Sequence, residues 1–527
     1  MTVLSLAVAA ADTAEPLTTP SFQYRALAPV LVLVGAAALG VLLEGILPRT
    51  ARRGAQIILS GAALIAALVL VVTSRTNLFG PAASGSVAID GPTLFLQATI
   101  LVIALVAMLV VAETRVDPAG DAFAPRAASL VGSAEEQQLT KLGWAQTEVW
   151  PLYLFSVSGM LLFVAANDLL MLFVALEVMS LPLYILAALA RRRRMLSQEA
   201  ALKYFLLGAF ASALLLYGSA MLFGYAHSLD FGVIADTLRN NPGLVGLQLI
   251  GIVLVSAGLL FKVAAVPFHE WTPDVYQGSP TPITAFMAAG VKVAAFGAML
   301  RVMYVALGGA QWDWAPVFWT IAAVTMLVGV LMAVTSSDIK RMLAYSSIAH
   351  AGFLLLGVTA YSTRGLSATM FYLLAYGFVT VGAFAIVMLV RNPAGEAGHL
   401  SSWAGLGRRS PLIAGVFGLF LLALAGIPLT SGFTAKFSVF SAAVASGEMG
   451  TWAVIAAVLA SVISAFFYLR VIVVMFFTEP ADEAASVAIP SFLTYTAIGV
   501  AAVATLVLGV FPQFALNWAD ASAYFIR

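Results

Sequence analysis

Six lysines occur in these 527 residues, and four of them, Lys203, Lys262, Lys292 and Lys436, lie in or at the edge of long apolar segments. On insertion scales an ammonium near the bilayer midplane costs roughly 2.5–3.5 kcal/mol, so four of them demand a compensating use. Their chemistry suggests one. Desolvation lets a lysine release its proton, whereas arginine, which carries most of the positive charge in the polar loops, keeps its own. Two more ionisable groups interrupt apolar stretches: Glu177 in VALEVMSLPLY and His350 in SSIAHAGF. A carboxylate moving toward or away from a lysine switches it between holding and releasing a proton, and each pKa unit is worth about 1.4 kcal/mol. Driving one charge against 100 mV takes about 2.3 kcal/mol, so a modulation of a few units per cycle suffices when energy is supplied from elsewhere. The pattern is one of proton handling inside a membrane.

The elements that must hold these groups are helices. Hydrophobic residues make up 62% of the chain and charged residues only 10%. Apolar runs long enough to cross a hydrocarbon core recur from end to end. Fourteen candidate spans fall at about 26–47, 55–73, 92–113, 150–166, 168–190, 200–226, 244–266, 281–304, 314–335, 339–358, 365–391, 411–443, 450–477 and 490–511. The expected fold class is therefore an all-α polytopic membrane protein embedded in the lipid bilayer. The chain has no cysteine and only four scattered histidines, so it offers no disulfide, no Cys-ligated cluster and no metal-ligand spacing. It also has no nucleotide-binding glycine motif, which leaves no expected cofactor in this chain. A formal net charge of +1 gives no reason to expect a nucleic-acid partner. The apolar stretch Val3 to Ala11 lacks a basic flank and reads as an extramembrane N-terminus.

Charge asymmetry orients the spans. With the N-terminus outside, the inner loops collect fifteen positive charges: Arg49, Arg52, Arg53, Arg115, Arg126, Lys141, the run Arg191 to Arg194, Lys340, Arg341, Arg391, Arg408 and Arg409. The outer segments hold six: Arg25, Arg75, Arg239, Arg301, Arg364 and Arg527. Both termini are thus expected on the outer face. An internal duplication is also expected. Glu177 precedes His350 by 173 residues and Lys262 precedes Lys436 by 174, each lysine near a helix-breaking proline, Pro267 or Pro428. This offset maps spans 4–8 onto 9–13, and five crossings invert the second unit relative to the first, as in transporters built from paired interrupted helices. The expected organisation is 1–148 for three N-terminal helices and a cytoplasmic loop, 149–310 and 311–478 for the two inverted five-helix repeats, and 479–527 for a C-terminal helix.

Four segments carry a family resemblance: KYFLLGAFASALLLYG at 203–218, FKVAAVPFHEWTPDVYQGSPTPITAF at 261–286, SDIKRMLAYSSIAHAGF at 337–353 and AGIPLTSGFTAKF at 425–437. Together they resemble the antiporter-like membrane subunits of bacterial NADH-quinone oxidoreductase, respiratory complex I, over nearly all of residues 26–511. Within that family, chain M typically has a glutamate where Lys436 stands, and chain L has an extra C-terminal lateral helix that this chain lacks. The resemblance implies a proton-translocating subunit of a translocase, without a redox centre of its own, in the bacterial inner membrane. NADH, FMN, iron–sulfur clusters and quinone would belong to partner subunits, with chains M, K and J as membrane-arm neighbours. It also implies a path through Glu177, Lys262, Lys292, His350 and Lys436, with Lys203 as the family's sixth-helix lysine. An Mrp-type cation/proton antiporter subunit is the alternative.

The residues themselves leave other uses open. Lys203 lies about one turn inside its span and its stem can snorkel to the interface. Lys262 and Lys436 would serve equally as structural plugs on carbonyls freed by the breaks. Glu177 would also fit as a static counter-ion, and His350 as a satisfied polar residue between helices. Arg470 either anchors a helix or terminates the path. His269, Glu270 and Asp274 read as capping or mouth groups, and the stretch from Asp117 to Glu148 as a long loop without catalytic character.

Overall fold

The computed structural model describes residues 22–74, 78–117, 120–126, 133–142, 144–240, 245–393, 395–480 and 485–526. Its spanning helices, in chain order, are α1 (Tyr24–Ile46), α2 (Arg49–Ser74), α3 (Gly91–Val111), α4 (Val149–Ala165), α5 (Leu169–Ala187), α6 (Arg194–Ala226), α7 (Val245–Val263), the short α8 (Trp271–Gly278), α9 (Thr281–Arg301), α10 (Gln311–Thr335), α11 (Ile339–Thr359), α12 (Thr363–Leu389), α13 (Pro411–Ala425), α14 (Ser431–Ala445), α15 (Glu448–Phe477) and α16 (Phe492–Val510). Twelve helices among the described residues are long and apolar enough to cross a membrane. The expected span 150–166 is the 17-residue α4, and the expected span 411–443 is split between α13 and α14, each 15 residues long. The chain is an all-α polytopic membrane protein. Arg75, Arg527 and the first 21 residues lie outside the described residues.

Local sequence sets the helix ends. Asp90, Asp168, Asp338 and Ser362 each accept a hydrogen bond from the backbone N–H three residues on, capping α3, α5, α11 and α12. Prolines at the first turns of α3, α9 and α13 fit positions whose N–H has no helical partner. Three helices, α9, α11 and α12, are buried along nearly their whole length and form the centre of the bundle. A helix apolar on every side is what such a position requires. The order of three helices, one interrupted helix and one further helix occurs twice, as α4 to α9 and as α10 to α15.

The two interruptions differ in detail. After α7, Ala264 takes a left-handed conformation (φ 63°), Trp271 donates its indole N–H to the Phe261 carbonyl at 3.1 Å, and the Val266 N–H is bound by Thr325. After α13, Gly426 turns left-handed (φ 87°) and Ile427 bonds back to the Leu422 carbonyl. Lys262 sits in the last turn of α7, before its break, whereas Lys436 lies six residues into α14, after its break. The 174-residue offset therefore relates the lysines and not the breaks themselves.

Loops at one end of the bundle tie the two five-helix sets together. Asp117 accepts from Arg192 and from Arg391, both at 2.6 Å, Arg341 pairs with Asp274 at 2.7 Å, and Arg193 donates to the Glu396 carbonyl. Two short pieces of sheet that the sequence reading did not anticipate lie in the loops: a hairpin of Gly80–Ala82 with Val87–Ile89, and Val390–Asn392 flanked by Gly395–Glu396 and Ser486–Val487. Glu113, just past α3, accepts from the Ser491 N–H and hydroxyl and from Thr494 at the start of α16. Burial pushes its carboxyl up, but the bonds from Thr494, Arg115 and Ser491 outweigh that and hold it below the usual carboxylate range.

At the other end, Gln23 accepts from the Ala83 N–H, and Asp90 accepts from the Ile526 N–H, so the described beginning and end of the chain lie at the same end of the bundle. Arg301, counted with the outer segments, lies at this end and is wholly buried, paired with Asp90 at 2.7 Å, bonded to Thr93 at 2.6 Å, and covered by the Phe525 ring. Tertiary packing, which sequence position alone does not reveal, closes water away from it. Lys340 is similarly buried, donating to the Ser279 carbonyl and the Thr281 hydroxyl.

Candidate proton-relay site

Glu177, Ser180 and Tyr184 are spaced i, i+3, i+7 and so share one face of α5. Lys262 of α7 reaches that face, donating to the Ser180 hydroxyl at 2.9 Å and to the Tyr184 hydroxyl at 3.3 Å. The charge of Glu177 acts on both Lys262 and Tyr184, yet its buried Oε1 has no hydrogen-bond partner and no ion pair joins it to Lys262. The Tyr204 ring of α6 closes the other side of Lys262, 5.8 Å away, and stacks on Trp271 of α8 at 4.8 Å.

From Trp271 the contacts continue into the centre of the bundle. Its edge meets Tyr276, whose hydroxyl lies against Ser347 of α11. Ser347 is also the partner of Lys292 of α9, which donates to its hydroxyl at 2.7 Å and to its carbonyl. Tyr376 of α12 donates to the same hydroxyl at 2.9 Å. One helical turn beyond Ser347, His350 places Nδ1 2.7 Å from the Tyr372 hydroxyl, and its Nε2 faces Tyr468, which is in turn bonded to Ser346. The charges of Lys436 and Lys292 both act on this imidazole. Phe353 lies between His350 and Lys436, 5.7 Å from the imidazole and 4.6 Å from the Lys436 ammonium.

Lys436 donates to the Ala425 carbonyl at 3.0 Å, and its stem packs against Gly426, where a β-carbon would meet it at 2.9 Å. Lys436 thereby reaches back to the C-terminal, negative end of α13, whereas Lys262, in the last turn of α7, sends its ammonium to the hydroxyls of α5. Lys262, Lys292, His350 and Lys436 expose 5% or less of their surface, and none of these lysines forms an ion pair among the described residues.

Lys203 stands apart. Its side chain is 41% exposed and pairs with Glu199 and Asp274, each at 2.7 Å, on the same end of the bundle as Arg341. Arg470 donates to the Val334 and Ser336 carbonyls and so caps α10. Asp274 is the shared partner of Lys203 and Arg341, and His269 Nδ1 is buried without a partner. Sequence reasoning missed Ser180, Tyr184, Tyr276, Tyr372, Tyr376 and Tyr468. Helical spacing from Glu177 signals the first two; the others are brought in from separate helices. It also missed the setting of Lys340, which lies 3.8 Å from Glu396 beside a cavity of about 60 Å³ lined by Thr281, Arg192 and Glu396.

Gly208 holds the first lysine's surroundings in place, since a β-carbon there would collide with the Tyr184 hydroxyl. Gly208→Ala is expected to displace that ring from Lys262 and lower proton pumping by up to about a hundredfold without removing any ionisable group, because misplacement by ~1 Å is that costly. Pumping compared with Tyr184→Phe in the same membranes checks this; unchanged pumping in Gly208→Ala would show that the ring's position is immaterial.

The family model "NADH:quinone oxidoreductase/Mrp antiporter, TM" matches residues 166–464. NADH-quinone oxidoreductase subunit N 3 of Streptomyces griseus is 55% identical across 99% of this chain and 97% of its own length. The subunit N of Rhodococcus opacus is 56% identical across 96% and 97%. Among solved structures, a chain of respiratory complex I from Thermus thermophilus aligns with a TM-score of 0.74 at 32% identity, covering 93% of this chain and 99% of that one. A chain of the Mrp complex from Dietzia sp. aligns with a TM-score of 0.77 at 22% identity, covering 95% and 97%, a likeness of fold alone. The chain belongs to the antiporter-like membrane subunits of NADH-quinone oxidoreductase, with its near relatives among the N subunits.

Proposed function

We propose that this subunit carries protons along Glu177, Lys262, Lys292, His350 and Lys436, with serine and tyrosine hydroxyls as links and water spanning the steps beside Trp271 and Phe353, whose rings pass no proton. One observation carries the reading: three lysines and a histidine, buried and unpaired by carboxylates, are joined by hydroxyl and aromatic contacts from α5 to α14. A hydroxyl accepts one hydrogen and donates another, so it passes a proton without carrying net charge. Each ammonium supplies the proton and, once neutral, accepts the next. Glu177 is the switch. When its carboxylate approaches Lys262 the ammonium is held, and when it withdraws the proton is free to leave. The energy comes from quinone reduction by NADH in partner subunits, which hold FMN, the iron–sulfur clusters and the quinone site. This chain takes no redox part, in keeping with its zero cysteines.

Lys203 is off this line and acts with Asp274 and Arg341 at the basic end, where the fifteen inner charges point to the cytoplasm and leave both termini outside. Chains M, K and J are the neighbours in this reading. Its support is that Glu177 is only half-buried, between the outward-facing Val174 and Leu181 of α5, while Phe433 and Phe437 face outward beside Lys436. Both ends of the line thus adjoin surfaces that neighbouring subunits would cover. The two five-helix sets act as inverted repeats, one around each interrupted helix. The test compares Lys292→Met with Lys203→Met in membranes holding equal assembled complex. Lys292→Met should lose pumping at least about tenfold and Lys203→Met distinctly less, a difference of about 1.4 kcal/mol. Equal losses would contradict a line that excludes Lys203.

A further inference from the structure

A cavity of about 770 Å³ lies far from the buried lysines, where the α1–α2 corner meets the long loop after α3. Its lining holds Arg49, Arg52, Arg53 and Arg126 against a single lining carboxylate, Glu148. The four arginines are not equally neutralised. Arg52 approaches Glu44 at 3.6 Å and Arg126 pairs with Glu135 at 2.5 Å. Arg53 donates to the Ala112 carbonyl, and Arg49 lies flat on the Trp144 ring, 3.4 Å from its centre; no described carboxylate pairs either one. Arg49 is also the first residue of α2, so the positive end of that helix adds to the same field.

We propose that this cavity binds the phosphodiester headgroup of an anionic phospholipid. The charge surplus fits a phosphate, and guanidinium groups match its oxygens in pairs. The position fits a lipid and not a free ion. The cavity sits at the membrane ends of α1 and α2, whose outward faces are apolar: Leu39, Leu42 and Ile46 on one, Ile58 and Ile65 on the other. Acyl chains would lie along those faces while the headgroup sits among the arginines, with Trp144 at the level of the interface. The long loop, which carries no part of the relay, thereby acquires a role: it closes the headgroup site through Arg126 and Trp144.

The variant for testing is Arg49→Gln with Arg126→Gln, both exposed side chains, which leaves Arg53 on its carbonyl. Intact complex purified in detergent is titrated with vesicles of phosphatidylcholine alone or with one-fifth phosphatidylglycerol, reading retained phosphatidylglycerol by native mass spectrometry and the melting temperature in parallel. Wild type should retain phosphatidylglycerol selectively and melt higher with it. The double variant should bind it about 30-fold more weakly, at roughly fivefold per arginine, and Arg49→Lys with Arg126→Lys should restore only the part that charge alone supplies, since lysine makes no paired contact. Equal retention in wild type and the double variant would overturn the site. The same stabilisation from millimolar inorganic phosphate without lipid would overturn the lipid assignment, as would unchanged lipid retention with loss of a neighbouring subunit, which would mark a protein contact. If the double variant fails to assemble, Arg49→Gln alone supplies the comparison, with about fivefold weaker binding expected and unchanged binding overturning the proposal.

Discussion

Lys262→Ala should abolish proton pumping, and Lys262→Arg should be severely impaired although it keeps the charge. The ammonium is buried and bonded to Ser180 and Tyr184. A relay at this point must lose and regain its proton, which a guanidinium does not do. A structural plug predicts the opposite for arginine, since charge and hydrogen-bond donors persist. Quinone reduction coupled to the relay should fall with pumping, by more than about tenfold, or at least 1.4 kcal/mol in the limiting step. Glu177→Gln, which removes the switch but keeps the lysine, should lower pumping while leaving complex abundance unchanged. The readout is vesicle acidification and NADH oxidation at equal assembled complex. Near-normal pumping in Lys262→Arg would sink the relay role for this residue.

The largest loss of stability should come from Arg301→Met. The Arg301–Asp90 pair is fully buried, and removing one partner of such a pair leaves an uncompensated charge, typically about 3–5 kcal/mol. Asp90 does more than pair: it caps α3 and holds the Ile526 N–H. Arg301→Met combined with Asp90→Leu should therefore recover part of the loss, short of wild type by about 1 kcal/mol for the missing cap. Thermal unfolding of the purified complex and its abundance in membranes measure both. An Arg301→Met complex that melts like wild type would show that Asp90 is neutralised by something else.

How much of this was legible depends on what each residue contrasts with. Glu177, Lys262, Lys292 and Lys436 stand out because charge is rare in apolar segments, and the breaks at Pro267 and Pro428 are written as proline and glycine. Tyr372, Tyr376 and Tyr468 do not stand out, since tyrosine is unremarkable in a membrane helix and its role here is set by partners on α11. Lys203 illustrates the limit from the other side. It shares its residue type and its apolar setting with the other three, but its direction on α6 sends it to Asp274 while its neighbour Tyr204 faces Lys262. Arg301 and Lys340 are counted by side of the membrane because each lies at a span end, and only packing from distant segments reveals that both are enclosed.

The clasp around Asp117 has a mechanical consequence. One carboxylate holds Arg192 and Arg391, while Arg341 to Asp274, Arg193 to Glu396 and Lys340 to Ser279 stitch the same end of the two helix sets together. Opposite, the Arg301–Asp90 pair pins α9 to α3 and receives the chain's last described residues. Two helix sets riveted together at the Asp117 end resist the wide rocking by which many carriers expose a site to alternate sides. The compliant parts that remain are small: the swing of a carboxylate, the spin of a hydroxyl and the turn of an imidazole. On the proposed path, transfer would then need almost no displacement of the frame, more like a row of switches in a rigid housing than a gate on a hinge.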